Sequence, residues 1–108
     1  MKRVLLLLIS ILSVNTLAYT ECSRSPNKVW LNLTGNSVWI CFDTGNCVYK
    51  TVSGNFTEAH LDRMYATGMA AISAGKNLII RYPEDNANCS DLTSTPSRDD
   101  IQGLWFTK

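Results

Sequence analysis

Four cysteines behind an export-type N-terminus constrain this fold more than any other feature of the chain. They stand at Cys22, Cys41, Cys47 and Cys89 of 108 residues. Ahead of them, Met1-Lys2-Arg3 carries the only charges before Glu21, and Val4 to Leu12 is almost continuously apolar. Thr16-Leu17-Ala18 then supplies the small residues that a signal peptidase reads. A basic start, a short apolar run and a small-residue exit are the parts of a secretory signal, expected at 1–18 with cleavage near Ala18-Tyr19. The alternative, a membrane anchor, is not expected, because a span needs about 20 apolar residues and Ser13, Asn15 and Thr16 interrupt the run. The mature chain, 19–108, is expected to be a single secreted or periplasmic domain.

In that compartment an even cysteine count reads as disulfides, since so small a core is only moderately stabilising. A metal site fails on spacing: there is no C-x-x-C pair, and the lone histidine, His60, has no cysteine near it. The same missing pair excludes dithiol redox chemistry. No metal and no cofactor is expected.

Loss of Lys2 and Arg3 leaves eight basic against nine acidic residues, a net charge of −1. Without a basic cluster, nucleic acid and anionic membrane surfaces are not expected partners. Nothing downstream of the signal is long and apolar enough for a membrane span.

Hydrophobic periodicity divides the chain from Lys28 onward. Val29, Leu31 and Leu33 alternate with Trp30, Asn32 and Thr34, the period of two of a half-buried strand. Gly35-Asn36 turns the chain into a second strand, Ser37 to Phe42, with Val38, Ile40 and Phe42 inward. Asp43 to Asn46 is another turn, and Cys47 to Val52 a third strand. Asn55 with Glu58 three residues later predicts a helix N-cap. Leu61, Met64, Tyr65, Gly68, Ala71 and Ile72 recur on one helical face, and Gly75 closes the helix. Gly68, unfavourable in mid-helix by about 1 kcal/mol, predicts a close backbone neighbour. Asn77 to Tyr82 forms a fourth strand, Glu84 to Asp100 a loop, and Ile101 to Thr107 a fifth strand.

This β-β-β-α-β-β order is that of the OB-fold, a small five-stranded barrel with a helix between strands three and four. The fold class expected is therefore mainly β with one helix, stapled by disulfides. The chain also resembles the secreted OB-fold B subunits of bacterial AB5 toxins, especially the subtilase-cytotoxin and typhoid-toxin type. The resemblance rests on Trp39-Ile40-Cys41-Phe42 with the Cys47 return strand, on Leu61 to Gly75 followed by Lys76 to Tyr82, and on Ile101 to Leu104. It spans most of 28–107. The chain is shorter than those subunits, and Cys22 with Cys89 stands in place of their C-terminal cysteine pair, which is closer to the cholera-toxin type. The resemblance implies glycan recognition, a homo-oligomeric ring (a pentamer) and a catalytic A subunit as partner. In an OB barrel strand one lies antiparallel to strand four, bringing Cys22 towards Cys89. Cys41 and Cys47 flank a short turn on paired strands, within reach of a bridge.

Two motifs bear on catalysis. Asp43-Thr44-Gly45 matches the triplet of aspartic proteases, where two such loops bring carboxylates together. No supporting apolar-apolar-Gly segment follows, and Asp-x-Gly-Asn is ordinary turn chemistry. His60 has no identifiable nucleophile beside it and reads as a solvated helical residue. With no acid pair or metal set, an enzyme is not expected. Sequons at Asn32, Asn55 and Asn88 matter only in a eukaryotic host.

Strand parity singles out one surface. If Val29, Leu31, Leu33, Val38 and Ile40 face the core, then Trp30, Asn32, Trp39 and Tyr49 face outward beside Cys41 and Cys47. Two readings stay open for these rings: a sugar-stacking platform or subunit interface, or filling for the ends of a tightly curved barrel. The functional expectation is a secreted glycan-binding module. The alternative is a stand-alone secreted or periplasmic protein that binds another protein through the same face.

Overall fold

The computed structural model describes residues 18–107. The export signal expected at 1–18, apart from Ala18, lies outside the described residues. The order is β1 (Thr20–Arg24), β2 (Pro26–Asn32), β3 (Ser37–Phe42), β4 (Val48–Thr51), α1 (Glu58–Ala74), β5 (Leu78–Tyr82), α2 (Cys89–Ser94) and β6 (Gly103–Phe106). The architecture is mainly β: two three-stranded antiparallel sheets, β1-β5-β6 and β2-β3-β4, and one main helix. β1 and β2 are separated only by Ser25, so a single bend passes the chain from one sheet to the other.

The inner faces meet over a core of Val38, Ile40 and Val48 from one sheet and Leu78, Ile80 and Tyr82 from the other. Leu61, Met64 and Ala71 of α1 complete it. Gly68 is where the helix comes closest to the sheet: a Cβ there would lie 2.7 Å from Val29 Cγ2 and 3.1 Å from Ile40 Cδ1. Gly75 ends α1 in the left-handed conformation, φ 65°, which glycine adopts without a steric penalty.

Two disulfides close the structure, Cys22–Cys89 across 67 residues and Cys41–Cys47 across 6. The first ties β1 to the start of α2; the second spans the β3–β4 turn.

The structure departs from the sequence expectations at five points. The barrel is not closed: β4 and β6 are edge strands that do not pair with each other, and the parallel bridge of Val48 with Arg98 ties β4 to the segment ahead of β6. Among the described residues six strands occur where five were expected. The additional one, Thr-Glu-Cys-Ser-Arg, is too polar to signal a strand and exists because it pairs residue for residue with β5. Cys89–Ser94, expected as loop, forms the short helix α2. The N-cap of α1 is Thr57 and not Asn55. Ser53 and Phe56 exchange backbone hydrogen bonds, so a tight turn uses up Asn55 and the helix starts later. Its capping box takes the ring of His60 in place of the Glu58 carboxylate: Thr57 N–H donates to His60 Nδ1 at 3.2 Å. Finally, Leu31 and Leu33 are 40% and 87% exposed, because the inward alternation ends near Val29 and Leu33 already lies in the turn beyond β2.

Candidate functional site

Trp30, Trp39 and Tyr49 lie at directly opposed positions of β2, β3 and β4. Their parity is opposite to that of Val38, Ile40 and Val48, which are fully buried. The three rings therefore stand on the outer face of the sheet, away from α1, and do not fill the ends of the core.

They form a continuous stack. Trp39 and Tyr49 have ring centroids 4.0 Å apart with planes 7° from parallel. Trp30 and Trp39 are 5.2 Å apart at 22°. Trp39 Nε1–H donates to Ser37 Oγ at 3.1 Å, which fixes the central ring. Cross-strand pairing puts opposed side chains about 4.5–5.5 Å apart, the spacing that lets flat rings lie against one another. Both faces of Trp39 are thus occupied by neighbours. Trp30, 37% exposed at one end of the row, is the most exposed of the three rings.

Asn32 shares this side of β2, but its Oδ1 accepts the Gly35 N–H at 3.1 Å. That bond commits Asn32 to shaping the hairpin turn. Cys41 and Cys47 flank the row through their disulfide.

The Asp43–Asn46 turn has a role the sequence did not reveal. Arg24 is 6% exposed, yet no carboxylate pairs with it among the described residues. Its guanidinium donates to Asn46 Oδ1 (2.7 Å), Tyr82 Oη (3.1 Å), Thr44 O (2.7 Å) and Asn46 O (2.9 Å), and lies over the Phe42 ring. Asn46 Nδ2 in turn donates to Leu92 O and Pro96 O. The Asp-Thr-Gly triplet is the wall of this arginine pocket, and Asp43 itself is exposed. Arg24 shares the buried face of β1 with Cys22, a parity cue that an arginine normally overrides.

Arg98 holds the open side of the fold. Its N–H donates to Cys47 O and its carbonyl accepts from Tyr49 N–H. Its side chain pairs with Asp100 at 2.7 Å and Glu84 at 2.6 Å. The hydrogen bond that Arg98 donates to Asp100 raises the Arg98 pKa above its usual value, and the same bond holds the Asp100 carboxyl below the ordinary carboxylate range.

A cleft of about 540 Å³ opens where α1 underlies the gap between β4 and β6. His60 sits at its rim, held in the capping box and stacked near Phe56. No described helix is long and apolar enough to cross a membrane. No family model, curated protein or solved structure matches the chain.

Proposed function

We propose that the chain is an exported, disulfide-stapled binding module of the OB type, resembling the B subunits of bacterial AB5 toxins, and that it acts by recognition and not by catalysis. The observation that carries this reading is the outward aromatic row, with Trp30 at its open end. A pyranose presents a face of C–H groups that packs on an indole, and indole rings combine apolar area with a polar edge. The expected ligand is a host glycan laid on Trp30, with the Trp39–Tyr49 stack holding that ring in place.

The OB reading is supported by strand order. Taken as one bent strand, β1 and β2 belong to both sheets, and the path β4-β3-β2/β1-β5-β6 is that of a barrel whose last seam is open. A homopentameric ring and a catalytic A subunit belong to the same reading. A glycan array with the mature protein tests it, alongside Trp30→Ala. Retention of specific glycans by the parent and their loss in the variant is the expected result; no glycan retained by either overturns it. Light scattering reports the ring: a pentamer mass is expected.

One observation favours the second reading, a stand-alone protein-binding module. Trp105 and Phe106 of β6 are 38% and 42% exposed, and exposed aromatics are common anchors of protein interfaces. A monomer that retains no glycan would favour it.

A further inference from the structure

We propose that the cleft between β4 and β6 is a second, separate binding site, and that it takes an extended acidic peptide segment as an added strand. The backbone carries the argument. Val52 N–H donates to Asn36 O, so even-numbered residues of β4 bond inward to β3 and odd-numbered ones point out of the sheet. Tyr49 obeys this by donating its N–H to Arg98 O at 2.8 Å. Two residues on, Thr51 must present its N–H and C=O to the cleft it lines.

The same alternation applies across the gap. Thr107 N–H donates to Asn77 O, which places Leu104 at a position whose backbone groups point away from β5. Leu104 also lines the cleft. Two sheet edges whose outward backbone groups face away from their own sheets therefore flank one groove, and at one end the Val48–Arg98 bridge ties β4 to the segment leading into β6. An extended peptide satisfies such edges through main-chain hydrogen bonds, the β-augmentation mode of recognition. An unprotected edge otherwise invites uncontrolled pairing.

Side chains set the kind of peptide. Phe56 and Met64 of the α1 region, with Ile101, give an apolar floor, which suits every second residue of a strand. Lys50 and Arg63 stand on the rim against a single lining carboxylate, Asp99. Charge complementarity then selects acidic residues at the alternate positions.

A titration of the 15N-labelled mature protein with acetyl-Val-Glu-Val-Glu-Val-amide tests this. The Thr51 and Leu104 amide resonances are expected to shift and become protected from exchange. A Val-Lys-Val-Lys-Val peptide should bind at least about tenfold more weakly, and so should the acidic peptide on Arg63→Glu. The same acidic peptide with its central amides N-methylated should not bind, a control that leaves the protein unaltered. Trp30→Ala should leave peptide binding unchanged, which separates this site from the glycan face. The proposal is overturned if the N-methylated peptide binds equally, or if shifts are absent at millimolar peptide or fall on the Trp30 row. Protection of Thr51 and Leu104 by dimerisation without peptide would also overturn it, naming a second copy as the occupant.

Discussion

Trp39 lies flat against Tyr49, ring centroids 4.0 Å apart and planes 7° from parallel, with Trp30 on its other side. This makes the central tryptophan a support and the outer one the exposed surface. The two positions should therefore respond differently to truncation.

Trp39→Ala removes two ring–ring contacts, each contributing about 0.5–1.5 kcal/mol beyond area burial. A drop in melting temperature of roughly 10 °C is expected for a domain of this size. Trp30→Ala removes one such contact and should lower it by about half as much, while removing the open ring face. Calorimetry of both proteins decides the matter: equal melting temperatures would show that the stack does not support the sheet.

The two disulfides should contribute unequally. Chain-entropy estimates give about 4 kcal/mol for a loop as long as that of Cys22–Cys89 and about 2 kcal/mol for one as short as that of Cys41–Cys47. Replacing Cys22 and Cys89 by Ser should lower the urea midpoint more than replacing Cys41 and Cys47. The opposite order would mean that the β3–β4 turn needs its staple more than β1 needs its tether.

Arg24 offers a stricter test of the loop it organises. Its four acceptors are neutral and largely buried, so Arg24→Met leaves them unsatisfied. At about 1–3 kcal/mol per orphaned group, a loss of roughly 3 kcal/mol or more is expected. Arg24→Lys should recover only part of it, because one ammonium cannot reproduce a planar fork. Full stability in Arg24→Met, measured by urea unfolding, would mean that water replaces the guanidinium at no penalty.

How much of this was legible in the sequence depends on the range of the interaction that makes each element. The Ser37–Phe42 strand and the helix from Leu61 to Gly75 announce themselves through their own periodicity and end signals. β1 does not, since Thr20–Arg24 is a strand only by pairing with residues about 60 positions away. The helix start moved to Thr57 because a backbone exchange between Ser53 and Phe56 consumed the expected cap. At the candidate site, parity found the shared face of Trp30, Trp39 and Tyr49. It could not show that the rings stack, nor that Asn32 is committed to its turn. Arg24 and the β4–β6 cleft were invisible, as both arise from the packing of distant segments.

Acid should loosen the open side of the fold before the core. The Asp100 carboxyl is held below its ordinary value of 3.8, first by the hydrogen bond from Arg98. A depressed carboxyl contributes stability that is present above its ordinary pKa and lost as pH falls through its folded value. The raised Arg98 has the opposite sign and loses its contribution only far into alkali. The latch therefore holds at neutral pH and weakens from about pH 4 downward. Asp100→Asn should flatten part of the fall in melting temperature between about pH 4 and pH 2. An unchanged profile would show that other carboxylates set the acid limit. Asp100 is half exposed, so the effect should also shrink at high salt.

The contact between Gly68 and the sheet gives the sharpest packing test. Alanine is the better helix former by about 1 kcal/mol, so on propensity alone Gly68→Ala should stabilise the protein. The added Cβ, however, would stand 2.7 Å from Val29 Cγ2, closer than real Cβ contacts come, and a tight 3.1 Å from Ile40 Cδ1. Overpacking of this kind costs typically about 1–3 kcal/mol, so net destabilisation is expected. Val29 is only half buried and can be trimmed, whereas Ile40 is fully buried in the core. Val29→Ala alone removes apolar contacts and should also destabilise. In the double variant the missing methyl groups make room for the new one, and the two losses should fall short of adding. Urea unfolding of the parent, both single variants and the double variant measures that coupling. A coupling of zero would mean that α1 shifts along the sheet to relieve the clash, and that Gly68 does not set the helix's seat.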